Sequence, residues 1–386
     1  MTIVFFSNVL NHHQVALCDE LFRQNNGDFY FVETANLDAS RQHMGFRQFD
    51  RKYTIHTDGN PDACEKARRL AVSADVAIMG AESFEYLKLR IANSNGVTFS
   101  YSERWLKQGW KNIISPNILR QFGLYLGKGR KRKWYMLAAS GYLANDLSNL
   151  GIFKNRVFKW GYFPKYSESE KELRDANEKV RILWTARFID WKRPYMMIGL
   201  ARLLMKHNYD FEMTMIGDGI MANEIRMEVT KDCELSKRVK LKGNIPNEEV
   251  LSEMLRSDIY CFTSTRREGW GAVLGEAMAS ECCPVASSAA GATPFLINNN
   301  KNGLIFKTDN LEDLYKKVTF LIDNPKERRK MGCEARETML REWNAERAAK
   351  EFLSLAKMKL SDGEAMPLDS TLPASPAYPV QLHKTI

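Results

Sequence analysis

Two runs of short apolar strands alternating with amphipathic helices, separated by a polar segment, constrain this chain more than any other feature. The first run reads TIVFFS (2–7), FYFVET (29–34), VAIMGA (76–81), GVTFSY (96–101) and RVFKWGYF (156–163), with helical stretches such as HQVALCDELFRQN and ACEKARRLAVSA between them. Alternation of this kind implies βαβ units and a parallel sheet. The segment PKYSESEKELRDANEK (164–179) is charged and reads as a linker. The alternation then restarts with VRILWTAR (180–187), PYMMIGLARLLMKH, FEMTMIGDG (211–219), MANEIRMEVTKDC, VKLKGN (239–244), IYCFTS (259–264), a helix over 271–280 and CPVASS (283–288). The expected fold class is therefore α/β, with two Rossmann-like doubly wound lobes, 1–163 and 180–342, facing across a cleft. A helix over 343–360 is expected to pack back on the first lobe. The last 26 residues, 361–386, hold four of the twelve prolines and little helical pattern, so they are expected to form a flexible tail. In open parallel sheets ligands bind beyond the carboxyl ends of the strands, so the loops that leave the strands are where chemistry is sought.

Composition excludes several classes. MMIGLARLLM (196–205) is interrupted by an arginine and no apolar run approaches the length of a spanning helix. The sequence opens on a strand pattern, MTIVFF, so a secretory signal is not expected. The seven cysteines are scattered with no CxxC pair, which points to free thiols in a reducing cytoplasm and against structural zinc. The formal net charge is +9, and nine cations lie between Arg104 and Asn145, a stretch without Asp or Glu. The positive surplus is thus expected on one surface, with the rest of the chain neutral.

Two stretches carry the chemistry. In EGWGAVLGEAMA, Glu268 stands among turn residues and Glu276 in a run with the apolar spacing of a buried helix. A helix starting near Gly271 would aim its N-terminus where Glu268 faces, an arrangement suited to an anion flanked by hydroxyl groups. In ARFIDWKRP, Arg187 and Lys192 leave the end of a strand just before Pro194 opens a helix. A planar guanidinium and a point charge there suit phosphate oxygens. GDG (217–219) adds only the mark of a tight turn.

The succession ARFIDWKRP, MIGDG, VKLKGN and TSTRREGWGAVLGEAMASECCPVASSAAGATPFLINNNKNGLIF resembles the retaining glycosyltransferases of GT-B architecture often called family 4, or glycosyl transferases group 1, with bacterial polysaccharide-assembly enzymes among them. The resemblance is close from Val180 to Phe306 and holds in outline over the first lobe. The E-x7-E motif is matched by Glu268 and Glu276, and the cation pair that holds the donor diphosphate by Arg187 and Lys192. The resemblance implies a UDP- or GDP-sugar donor and no further cofactor. Glu268 would accept hydrogen bonds from sugar hydroxyls, Glu276 a pair from the ribose, and the amides of Gly269, Trp270, Gly271 and Ala272 would meet the diphosphate. Base recognition would fall near Gly243 to Ile245 through backbone groups and apolar stacking. Transfer would retain the anomeric configuration and need no metal, in keeping with the absence of a D-x-D triplet.

The first lobe, expected to hold the acceptor, departs from the family pattern. SNVLNHHQ (7–14) stands where many relatives have a glycine pair, which makes Asn11, His12 and His13 candidates. Ser102, Glu103 and Arg104 stand where relatives often have a histidine, and Glu103 is the candidate for a polar role toward acceptor or sugar. The nine cations of the stretch 104–145, Lys128, Arg130, Lys131, Arg132 and Lys133 among them, are interleaved with Trp105, Trp110, Phe122, Tyr125, Trp134 and Tyr135, and fit a surface that rests on an anionic leaflet without crossing it. The expected acceptor is a lipid-linked saccharide at the cytoplasmic membrane face. Two other readings remain open here: an epimerase or phosphorylase on the same fold, and nucleic-acid binding through KGRKRKWY, which would leave the donor motifs unexplained and is not expected.

Overall fold

Parallel strand pairing accounts for both sheets of the computed structural model, which describes residues 1–36, 48–167, 169, 179–361 and 370–380. The expected linker, 164–179, lies largely outside the described residues. The chain divides into two units: Met1–Lys165 with Glu342–Val380, and Tyr166–Arg341.

In unit 1 the strands are β1 (Ile3–Ser7), β2 (Phe29–Glu33), β3 (Thr54–His56), β4 (Val76–Met79), β5 (Val97–Ser102), β6 (Trp134–Ala138) and β7 (Val157–Lys159), in the order β3-β2-β1-β4-β5-β6-β7. In unit 2 they are β8 (Val180–Thr185), β9 (Phe211–Ile216), β10 (Val239–Leu241), β11 (Ile259–Phe262), β12 (Cys283–Ser287) and β13 (Leu304–Phe306), in the order β10-β9-β8-β11-β12-β13. Strands buried on both faces read as unbroken apolar runs, as IVFF and IYCF do here. Three strands had no reading in the sequence: β3, β6 and β13. The residues of β6 instead entered the sequence reading as part of a basic surface. Trp134 is fully buried within it, its indole N–H donating to Ser100 Oγ at 2.9 Å.

The order of each sheet reverses once: between β1 and β4 in unit 1, and between β8 and β11 in unit 2. Such switch points separate the loops that leave two neighbouring strands and open a crevice at their carboxyl ends. The loops so placed are 8–14 and 80–83 in unit 1. In unit 2 they are 186–193 and 263–271, the two stretches that the sequence singled out.

The helix Ala345–Leu360 belongs to unit 1. Its buried face includes Ala348, Ala349, Phe352, Leu355 and Ala356, and it packs on the helix Val15–Gln24. Phe352 meets the rings of Phe99 and Trp160 at 5.2 and 5.7 Å. The flexible tail expected over 361–386 needs correction for residues 370–380. Lys159 donates its amide to Ser375 O at 2.8 Å, and the amides of Ala374 and Ala377 return to Lys159 and Val157. These residues cover the open edge of β7, where the missing N–H of Pro376 costs no ladder bond. Burial of Leu372, Ala374 and Ala377 adds apolar contact. Residues 362–369 and 381–386 of that tail lie outside the described residues.

Candidate functional site

At the switch point of unit 2, side chains lace two loops together. The Lys192 ammonium is paired with the Glu268 carboxylate, and the two side chains are only 12% and 15% exposed. Ser264 Oγ donates to the same carboxylate oxygen at 3.0 Å. Thr263 Oγ1 donates to Lys192 O at 2.6 Å while accepting the Trp184 indole N–H at 2.8 Å. The Thr265 amide donates to Trp191 O at 2.8 Å. Arg193, left-handed at φ 58°, ends the short turn that carries Lys192, held by Asp190 and Asp309. Pro194 then opens the helix Pro194–Lys206. Thr263, Ser264 and Trp191 had no place in the sequence reading, because hydroxyls and an indole between two motifs carry no periodic signal.

The loop 263–271 must turn sharply into the helix Ala272–Ala279. Gly271 makes that turn at φ 94°, and a Cβ there would stand 2.3 Å from the Phe262 ring. Glycine is therefore required at 271 on both counts. The first amides of the helix have no acceptor within it, so its N-terminus is an anion-receptive end. Gly269 and Trp270 lie in the same turn, where the Trp270 side chain is buried and its carbonyl accepts the Ala292 amide at 3.1 Å. Glu276 sits one helical turn beyond Ala272. Burial pushes its pKa up from 4.5 to about 7. Two tyrosines neighbour it, half-buried Tyr166 and buried Tyr260, whose hydroxyl pKa values are raised by burial and then by the Glu276 charge. The absence of a side chain at Gly275 leaves room for Tyr166 Oη, which would lie 2.8 Å from a Cβ there. Tyr166 was missed because it fell within the expected linker.

The turn after β9 closes against the same edge. Gly217 donates its amide to Gly243 O at 2.8 Å, and a Cβ at 217 would overlap Ala186 O at 2.0 Å. Gly243 and half-buried Ile245 thus follow the neighbouring strand end. Arg187 is exposed, its guanidinium carbon 5.7 Å from the Trp191 ring centre.

In unit 1 the candidates come together around Tyr162. Its hydroxyl donates to Glu103 Oε1 at 2.8 Å and its ring stacks on His13 at 5.3 Å. The second Glu103 oxygen is paired with Lys107. The rings of His12 and His13 are 3.9 Å apart. Burial lowers both pKa values, that of His13 to about 3 with help from His12, so both imidazoles are neutral near pH 7. Asn11 is engaged with the backbone: its side-chain oxygen accepts the His13 amide at 3.0 Å and its carbonyl accepts those of Gln14 and Val15. It shapes the entry to the helix Val15–Gln24.

The basic surface needs correction. Arg104 is buried against Asp146 at 2.8 Å, which also accepts the Leu106 amide. Arg132 donates to the carbonyls of Ile91 and Ala92, and Lys133 to that of Leu360, so each closes the carboxyl end of a helix. Cations there satisfy orphan carbonyls and oppose the helix dipole. Trp105 and Trp134 are core residues. Lys128, Arg130 and Lys131 are exposed, as are Lys111 and Arg120. Four large apolar side chains lie exposed in the same stretch: Trp110 (60%), Ile114 (74%), Leu119 (51%) and Leu126 (46%). Among the described residues no helix is long and apolar enough to cross a membrane.

Two parallel, doubly wound sheets, with a charged pair and a helix N-terminus at the switch point of the second, define the GT-B class. The solved structures agree in fold. HepE of Anabaena in complex with UDP superposes with a TM-score of 0.65 at 15% identity, over 92% of this chain and 100% of that one. The lipopolysaccharide outer core galactosyltransferase WaaB superposes with a TM-score of 0.68 at 16% identity, over 94% and 99%. Residues 166–338 match the family of glycosyl transferases group 1. An uncharacterized glycosyltransferase of Methanocaldococcus jannaschii is 33% identical over 267 residues, 64% of this chain and 72% of that protein. The chain belongs to the glycosyl transferases group 1 family. It is also 25% identical over 210 residues to the poly(ribitol-phosphate) alpha-N-acetylglucosaminyltransferase of Staphylococcus aureus (strain COL), a match spanning 54% of this chain and 40% of that protein.

Proposed function

We propose that this chain is a glycosyltransferase of cell-surface polysaccharide synthesis, moving a sugar from a UDP- or GDP-sugar to a saccharide hydroxyl with retention of configuration. The observation that carries the reading is the Lys192–Glu268 pair beside the N-terminus of the helix Ala272–Ala279, both at the switch point of unit 2. In this reading Glu268 accepts from sugar hydroxyls while Lys192, Arg187 and the amides at the helix N-terminus receive the diphosphate. Negative charge on the diphosphate grows as the glycosidic bond breaks, so preorganised cations and amides there favour the transition state over the ground state. Glu276 takes the ribose hydroxyls. Hydrogen bonds from them would stabilise its charged form and offset the burial that keeps it near neutral.

The acceptor in this reading is a lipid-linked saccharide, reached by peripheral attachment to the cytoplasmic membrane face through unit 1. Support comes from the exposed apolar side chains of residues 110–126 beside Lys111, Arg120, Lys128, Arg130 and Lys131. Apolar groups that enter the interface and cations that meet anionic headgroups act together there.

A thermal-shift panel of UDP-, GDP- and ADP-sugars tests the donor, since a ligand of the folded state stabilises it by mass action. Stabilisation by a UDP- or GDP-sugar that is lost in Glu276→Ala supports the reading; equal indifference to all three sinks it. Turnover is expected to survive EDTA, and a complete loss reversed by magnesium would overturn the metal-free mechanism.

A further inference from the structure

We propose that Arg267, laid over the Trp191 indole, is a specificity residue that binds an anionic group, carboxylate or phosphate, on the saccharide at the Glu268 end of the site. The proposal rests on the donor-site reading above. The Arg267 guanidinium carbon stands 4.4 Å from the Trp191 ring centre, and that of Arg187 stands over the same ring at 5.7 Å. Among the described residues, neither guanidinium has a carboxylate partner. Their neighbours do: Lys192 has Glu268, and Arg193 has both Asp190 and Asp309. Lys192 and Arg193 are thus neutralised by carboxylates, while Arg187 and Arg267 stand exposed over the Trp191 ring.

Holding two guanidiniums over one indole costs mutual repulsion, which the negative ring face offsets in part. The platform is also fixed in place. Trp191 O accepts the Thr265 amide at 2.8 Å, and Thr265 Oγ1 lies 3.5 Å from the Arg267 amide. A guanidinium held over an aromatic ring keeps N–H donors free and loses little further freedom when it grips a two-oxygen anion. The diphosphate is already served by Arg187, Lys192 and the helix amides, so Arg267 is surplus to it. Arg267 shares the loop 263–271 with Glu268, one residue before it, and in this proposal it reaches toward the sugar that Glu268 binds. A neutral hexose and a neutral acceptor give such a group nothing to bind. The anion therefore belongs either to a uronate donor sugar or to a phosphate-bearing acceptor, two sources of one chemistry.

Calorimetry on the full chain, wild type against Arg267→Gln and Arg267→Lys, separates them. The first arm compares UDP, UDP-glucose and UDP-glucuronate; the second titrates UDP-saturated protein with a glycerol phosphate trimer and with maltotriose. In one arm the wild type is expected to favour the anionic probe by about tenfold, as for one charged hydrogen-bonded contact. That preference should vanish in Arg267→Gln and survive in part in Arg267→Lys, with UDP affinity unchanged in both. No anionic preference in either arm overturns the proposal, as does a preference that persists in Arg267→Gln. A loss of UDP affinity in Arg267→Gln assigns the residue to the diphosphate instead and overturns it too. Should the wild type not bind UDP, the same arms are run with GDP and its sugars; failure to bind either nucleotide sinks the donor-site reading and this inference with it, so the two failures are told apart.

Discussion

At the strand ends of unit 2, Lys192 and Glu268 meet beside a helix N-terminus; at those of unit 1, the Glu103–Lys107 pair lies among stacked rings and neutral imidazoles. The sheets beneath are built alike, each parallel and each reversing its order once. Loops on one scaffold can therefore serve separate chemistry. Unit 2 holds a fixed set of charges around Lys192 and Glu268, suited to a ligand whose charge and hydroxyl pattern do not vary. Unit 1 offers His12, His13 and Tyr162, whose neutral faces suit stacking and single hydrogen bonds, as a saccharide would need.

The comparison breaks most visibly at Lys192. Lys192→Ala is expected to keep its fold and lose turnover by roughly 10²-fold to 10³-fold, the usual effect of removing one preorganised donor from a developing anion. His13→Ala in unit 1 should not approach that loss in steady-state assays. Wild-type turnover in Lys192→Ala would contradict the proposed role.

Gly271→Ala comes next. It should lower stability by about 2 kcal/mol, read as a fall in Tm, because its φ and the Phe262 ring both oppose a side chain. Gly59, also left-handed but with open space around it, should cost less in the same substitution.

A third test uses pH. The Glu276 pKa is raised to about 7, so in the ligand-free chain its stabilising contribution is complete below about 4.5 and is lost as pH rises through 7. Donor binding should run the opposite way, because ribose hydroxyls donate to the charged form. Donor affinity is expected to rise by about tenfold from pH 6 to 8, and Glu276→Gln should flatten both slopes. A donor affinity independent of pH in the wild type would remove Glu276 from the site.

The smallest effect sharpens the reading of unit 1. Arg130→Gln should weaken partition onto anionic liposomes by about fivefold, near 1 kcal/mol before screening, whereas Arg132→Gln should leave it nearly unchanged and lower Tm instead. Equal losses of partition from both would show that capping a helix does not withdraw Arg132 from the surface.

The sequence by itself determined the strand–helix alternation, and with it the class of both sheets, because strand and helix periods are local properties of the chain. It also placed Arg187, Lys192, Glu268 and Glu276, because a motif of charges and glycines is tied to a strand end and a helix start that are themselves local. What it could not reveal depended on distant partners. Whether a cation in the stretch 104–133 was a surface charge or a cap on a remote helix turned on Asp146, Ile91 and Leu360. Likewise, the tail residues 370–380 look unstructured until β7 offers an edge, and Tyr166 looks like linker until Gly275 leaves it space. Only the tertiary structure decided these, because a side chain's role there is set by what packs against it, and periodicity along the chain carries no record of that.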